Sequence, residues 1–251
     1  MTGIATFALG LSAARSIKGQ TWAGDNVLFE PTTPVTITAP LICVYAGRGR
    51  SEIRDKALDF AGDVRLRFEL FLPPTFTAAG VTFNNEASQS LVFALIWRQI
   101  LAALTVQQAP WPTVFREVLL RTDSLEAGRD LFEPAKGQKI PVAVYELSGE
   151  TVADPPIGVP AAGVWVDFLA AMTADTAELA GLASLFASEI LGPGGALPDW
   201  QVAMGILGTT SDETQAIGLG PGMPAAPAAA ADLADGSSPA ETVAIPLTPL
   251  P

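Results

Sequence analysis

Thr21-Trp22-Ala23-Gly24-Asp25-Asn26-Val27-Leu28-Phe29, followed after a proline-bearing connector by Pro40-Leu41-Ile42-Cys43-Val44-Tyr45, is the stretch on which the fold turns. A tight Ala-Gly-Asp-Asn turn stands between a helical pattern and two short apolar runs rich in β-branched and aromatic residues. That order predicts a helix giving way to a sheet. Upstream, Ile4, Phe7, Ala8, Leu11 and Ala14 recur at helical spacing, Arg15 and Lys18 suit the negative end of the helix dipole, and Gly19 stops the helix. Downstream, Pro31 and Pro34 keep the connector extended until the strand Leu41 to Tyr45.

From Gly47 to Lys56 the sequence reads as a basic loop carrying four cations, Arg48, Arg50, Arg54 and Lys56. Val64, Leu66, Phe68 and Leu70 then alternate with Arg65, Arg67 and Glu69, which predicts a strand with one buried and one polar face, ended by Pro73-Pro74. Thr75 to Asn85 is loop-like with room for a short strand at Val81 to Phe83. Glu86 to Leu104, with Leu91, Ala94, Leu95 and Ala102, is apolar enough to predict a helix packed on more than one side, with Trp97 in the core or an interface. Thr113 to Leu120 resumes helical spacing with Thr113 as its cap, Ser124 to Gly137 carries no decisive pattern, and Lys139 to Thr151 predicts a further strand ended at Asp154-Pro155-Pro156.

Beyond that strand Val164 to Met172, Thr176 to Leu191 and Pro198 to Leu207 are helical in pattern, with a last turn capped at Ser211-Asp212-Glu213. Pro221 to Pro251 has the Pro/Ala/Ser-rich composition of an extended tail. The expectation is one α/β (α+β) domain over residues 1–220, a small mixed or antiparallel sheet flanked by helices with a helical C-terminal half, followed by a tail over 221–251. A hydrophobic content of 49% is ample for one core. No uninterrupted apolar run reaches about 18 residues, so no membrane span is expected.

Chemistry is limited by what the chain lacks. It contains no histidine, the commonest metal ligand and general base, and its single cysteine, Cys43, lies in an apolar strand where a small buried side chain is the ordinary role. No Walker loop, CxxC pair, HExxH, GxSxG or GxGxxG occurs; the glycines from Gly218 to Gly222 are interrupted by Pro221. No cofactor and no metal are expected. Carboxylate chemistry of the glycosidase kind needs only two acids, and Asp123 with Glu126 or Asp212 with Glu213 are the candidates, each of a type common on surfaces and caps. All 14 Lys and Arg lie between Arg15 and Lys139, whereas Ile140 to Pro251 is acidic without a single cation. An acidic body repels phosphate backbones, so tight nucleic-acid binding is expected at most at a local basic patch.

The helix, Thr21 to Val27 and Pro40 to Tyr45, together with Val152 to Pro156, Leu197-Pro198-Asp199-Trp200 and Ile217 to Pro221, resemble the tail terminator (tail completion, minor tail protein U-like) proteins of long-tailed bacteriophages, prophages and gene transfer agents. The resemblance is scattered and none of its motifs is catalytic. It implies a virion structural protein rather than an enzyme. The subunit would assemble as a hexameric ring that caps the tail tube, receives the head-tail connector, and lets DNA pass through its lumen without specific binding. It would be assembled in the host cytoplasm and reside at the head-tail junction, with no membrane partner. The alternatives are another head-tail connector or tail tube component, and a carboxylate-based glycoside hydrolase. On the ring reading, Arg48, Arg50, Arg54, Arg65, Arg67 and Glu69 are the candidate subunit-interface residues, and the basic stretch of one subunit is expected to meet an acidic face of the next.

Overall fold

The computed structural model describes residues 3–32, 37–51, 62–84, 86–135, 138–156 and 158–191, with backbone only at 48–51, 86, 134–135 and 138. Arg54, the expected helix Pro198 to Leu207, the turn at Ser211, the pair Asp212 and Glu213, the domain boundary at 220 and the tail lie outside the described residues. The expected α/β class is what the chain adopts. Helix α1 (Ile4–Ile17) leads through a turn to β1 (Val27–Phe29), β2 (Leu41–Ser51) and β3 (Gly62–Phe71); a hairpin follows, β4 (Phe76–Ala78) and β5 (Val81–Phe83). Then come α2 (Glu86–Thr105), α3 (Pro110–Val118), β6 (Leu119–Ala135), β7 (Gln138–Thr151), α4 (Val164–Ala174) and α5 (Ala177–Leu191). The main sheet is mixed, in the order β1-β2-β3-β7-β6. Among the described strands only the β1–β2 pair is parallel.

The turn at Thr21–Asn26 forms as its residues require. Gly24 adopts φ +56 and Gly19 φ +73, conformations that cost a side-chain-bearing residue energy, and the chain closes through Gly24 N–H to Thr21 O (2.9 Å) and Asn26 N–H to Ala23 O (3.0 Å). Trp22 fastens this turn to the rest. Its backbone N–H donates to Gln99 Oε1 of α2 (3.0 Å), and its ring stacks on Phe83 and stands tilted against Phe76 of the small hairpin.

Helix α1 is buried nearly all round, not along one stripe. Ala5, Ala8, Leu9, Leu11, Ala13, Ala14 and Ile17 are buried, and the buried hydroxyls of Ser12 and Ser16 donate to Leu9 O and Ser12 O. Phe7, expected in the stripe, is its exposed large side chain at 37%. The helix lies against β1 and β2 and is flanked by α2 and α3. Asp154, from the connector after β7, accepts the Ala5 N–H (2.7 Å), placing a carboxylate at the positive end of α1. Arg15 at the other end pairs with Asp175 (3.4 Å), which also accepts the Trp111 indole N–H (2.9 Å).

Val64, Leu66, Phe68 and Leu70 all point into the helical layer, as their alternation predicts. Helix α2 lies over β3 and β7, its Trp97 ring stacked on Tyr145 (4.1 Å) and edge-on to Phe68 (5.6 Å). It buries one side only, through Val92, Phe93, Ile96, Ile100, Ala103 and Leu104, while Leu91, Ala94, Leu101 and Ala102 are exposed. The expectation of a helix packed on more than one side is therefore corrected within this chain. Against the expectation of no membrane span, α2 is by length and composition apolar enough to cross a bilayer, with a mean hydropathy of 1.4, yet its inner side is part of the core. Phe168 of α4 fills the gap beyond α3, meeting Phe7, Trp111, Trp165 and Phe186 at ring distances of 5.9–6.4 Å.

Two expectations shift, and a stretch without a decisive pattern proves to be strand. Gly47–Ser51 continue strand β2 instead of forming a loop, because Gly47 and Arg48 pair with Arg65 and Val64 of β3. Helix α3 starts at Pro110, with proline suited to a first turn that has no N–H partner to lose, so Thr113 lies inside the helix and its hydroxyl donates back to Ala109 O (3.1 Å). Ser124–Ala135 belong to the long strand β6.

The tight packing of α1 gives a stability prediction. A methyl group at Gly10 would come within 2.6 Å of Ala46 Cβ and also overlap the Phe29 ring, whereas one at Gly181 of α5 meets nothing within 4 Å. Although alanine favours helix at both sites, Gly10→Ala should destabilise by about 1–3 kcal/mol and Gly181→Ala should stabilise by up to about 1 kcal/mol, as read by urea unfolding.

Candidate assembly surface

Arg65, Arg67 and Glu69 share the outer face of the sheet because their neighbours on β3 fill the core. They are already partnered within the chain. Arg67 binds Glu69 (2.6 Å) on the same strand, and Arg65 reaches Glu146 of β7 (3.4 Å). Across β2 the register sets Tyr45 beside Arg67 and Cys43 beside Glu69. Arg48 and Arg50 fall on the last residues of β2, where only the backbone is described, and Arg54 lies outside the described residues.

The outer face divides into two bands. At one end Leu41, Cys43, Phe71, Ile140 and Val142 form a small buried cluster, with Phe132 of β6 packed edge-on to Phe71 (5.7 Å). At the other end Arg65, Glu146, Arg121, Glu150 and Asp123 form a charged band, in which Arg121 contacts Asp123 (2.7 Å) and Glu150 (3.5 Å). Burial, reinforced by the charge of Glu69, pushes the Cys43 thiol up to about 11 and the adjacent Tyr45 hydroxyl up to about 12. A thiol held this far from ionisation is a packing group rather than a nucleophile, as expected.

The feature that sequence reading missed is β6. It pairs with β7 in unbroken register from Ser124 with Ser148 to Phe132 with Ile140, and irregularities fall only at either end of that run. It is the edge strand of the sheet, and every side chain from Leu120 to Glu133 is exposed. Leu120 (62%), Leu125 (47%), Leu131 (56%) and Phe132 (47%) are among them. The available signal is the spacing of Leu125, Ala127, Arg129 and Leu131 at intervals of two, which a single charged member obscures.

Between β6 and α2 runs an open groove of about 490 Å³ lined by Gln89, Ser90, Phe93, Arg129, Asp130 and Leu131. Arg129 braces it, with its guanidinium donating to Ser90 Oγ and standing 5.8 Å from the centre of the Phe93 ring. Of the candidate acid pair, Asp123 is engaged by Arg121 and Glu126 stands exposed opposite Glu146. Among the described residues no cluster of three Cys, Asp or Glu could hold a metal ion, and no buried side-chain nitrogen or oxygen lacks a partner. Comparison with known proteins returned no matching family and no matching curated protein.

The raised thiol and phenol values give a pH prediction. An unfolded thiol releases its proton near 9.0 and the folded one near 11, so between those values the native state holds more protons and stability falls as pH rises; Tyr45 extends the fall from 10.0 to about 12. Alkaline titration of the unfolding midpoint should show this loss, with a smaller slope in Cys43→Ser. At pH 8 Cys43 should react with a thiol reagent only after unfolding; rapid labelling of the native protein would contradict its burial.

Proposed function

We propose that this chain is a virion structural protein, a tail terminator that closes as a ring on the tail tube and forms the head-tail junction. The observation that carries the reading is the β6 edge, which no other described strand pairs: a long, apolar-bearing edge strand in a soluble monomer invites uncontrolled association, and an assembly subunit gives it a partner. The resemblance of Thr21 to Val27 and Pro40 to Tyr45 to tail terminator proteins supplies the kind of assembly. The acidic C-terminal half suits a passage that DNA must slide through without sticking. Partners on this reading are further copies of the chain, the tail tube protein and the head-tail connector.

A connector or tube subunit shares these features and is the alternative within the same class. The hydrolase reading has less support, since the α2–β6 groove presents one carboxylate, Asp130, where a glycosidase places two across the scissile bond.

Electron microscopy of particles carrying a labelled copy of the chain should place a ring at the head-tail junction, and removal of its gene should leave tails of uncontrolled length. Filled heads beside normal-length free tails would instead indicate a connector. Label along the tube shaft would indicate a tube subunit.

A further inference from the structure

We propose that the outer edge of β6 takes an added strand from a neighbouring protein, an extended segment whose basic side chains at alternate positions meet Glu126 and Asp130 while the apolar side chains between them lie beside Leu125, Ala127 and Leu131. This names the chemistry of a partner that the assembly reading leaves open, and it rests on that reading only for where in a particle the partner would sit.

The backbone of β6 shows which groups are on offer. Leu131 stands opposite Pro141, which has no N–H to give and whose carbonyl accepts the Leu72 N–H (3.2 Å) on the β3 side of β7. The Leu131 N–H goes instead to Asp130 Oδ1 of its own strand (2.7 Å). Leu131 therefore turns its backbone groups away from β7. In an antiparallel ladder of regular register, Arg129, Ala127 and Leu125 do the same, because the direction alternates from one residue to the next. Among the described residues no strand and no side chain takes the N–H groups of Leu125, Ala127 and Arg129. The Asp130 carboxylate thus closes the edge at Leu131 and leaves it open over the preceding turns of the pleat.

Charge decides what can add there. Leu125, Ala127, Arg129 and Leu131 lie on the helical face of the sheet, opposite Leu147, Tyr145, Ala143 and Pro141. Glu126, Gly128 and Asp130 lie on the outer face, opposite Glu146, Val144 and Val142, and from Ser124 to Phe132 this face of β6 carries no cation. Glu146 is engaged by Arg65, so no described residue neutralises Glu126, and Asp130 holds only the Leu131 N–H. Between the two acids a methyl group on Gly128 would meet nothing within 4 Å, which leaves a gap. A strand laid along this edge matches the outer face with basic residues at its positions i and i+4 and a large side chain at i+2, and the helical face with apolar residues at i+1 and i+3. That pattern is the same in both directions, so it suits either sense of pairing. Arg129 does not block it, being folded toward Ser90 and the Phe93 ring. A second β6 is a poor occupant: two such edges paired antiparallel about Gly128 would set Glu126 of each against Asp130 of the other.

The test uses the full-length protein and a terminally blocked peptide, Thr-Lys-Val-Tyr-Val-Lys-Thr. The peptide should bind saturably and slow hydrogen exchange at Leu125, Ala127 and Arg129 about tenfold or more. Glutamate in place of both peptide lysines, or Glu126→Lys with Asp130→Lys in the protein, should each weaken binding about tenfold or more, and the two changes together should restore it. Methyl groups on the two valine nitrogens should abolish binding, whereas methyl groups on the two lysine nitrogens should leave it in place, because only the valine N–H groups face β6. No binding at millimolar peptide, equal binding of the glutamate peptide, or indifference to valine methylation would each overturn the proposal. Slow exchange at the three amides in the protein alone would overturn it too: protection lost on dilution would assign the edge to a second copy, and protection that persists would assign it to another part of the same chain. Specific binding by a chain absent from the head-tail junction would leave the strand addition standing and remove the terminator reading; a junction ring whose edge refuses the peptide would do the reverse.

Discussion

The close approach of α1 to the first two strands is the constraint on which the rest of the molecule depends. Gly10 faces Phe29 and Ala46 with no room for a methyl group, and small residues at Ala5, Ala8, Ala13 and Ala14 let neighbours close in from the other directions. A helix made of such residues has little large apolar surface of its own, so its stability comes from being enclosed. The sheet lies beneath it, α2 and α3 flank it, Asp154 holds its first turn and Arg15 ties its last turn to Asp175. Residues 149 positions apart in sequence thus meet at one helix end. The N-terminal stretch and the connector after β7 thus stabilise each other's position.

Centring the helices on α1 displaces the layer toward β1 and β2. Helix α2 extends the cover across β3 and β7 through Trp97, and α4 and α5 build outward from α3 rather than across the sheet. No described helix lies over β6. The exposure of Leu125 and Leu131 is therefore a consequence of where α1 sits, since these leucines occupy the same sheet face as the buried Tyr145 and Leu147's half-buried side chain. Their surroundings, not their chemistry, leave them in water.

Alternation made β3 readable because one of its faces is uniformly apolar and the other uniformly charged. β7 is readable differently, as the continuous apolar and β-prone run Pro141 to Leu147 stopped by Asp154-Pro155-Pro156, and the helical segments α4 and α5 are legible from spacing and from the glycine and proline residues around them. Readability failed where a strand has no buried face. β6 shows weak alternation because neither of its sides meets a core, and Gly47–Ser51 reads as a loop because glycine and arginine carry no apolar pattern, although backbone pairing with β3 holds it extended. Helix α1 is legible as a helix, but its burial nearly all round is not, because alanine and serine are silent in a periodicity built on large residues. For the candidate surface, the polar face of β3 was visible in the sequence, but the ion pairs that occupy it were not, since they depend on Glu146 lying across the sheet.

Those ion pairs also bear on where binding energy can come from. Arg65 and Arg67 are half-exposed or more, and pairs of this kind contribute about 0.2–1 kcal/mol; breaking them to engage a partner would return little. A strand edge offers more per residue. Each backbone hydrogen bond gained adds roughly 0.5–1.5 kcal/mol net, and covering Leu125 and Leu131 adds apolar burial at about 25 cal/mol per Å². The ring proposed above would need no stronger joint than this, because the last contact to close is intramolecular and holds every other one in place. Weak, directional edges are sufficient for a closed assembly, and among the described strands β6 presents one.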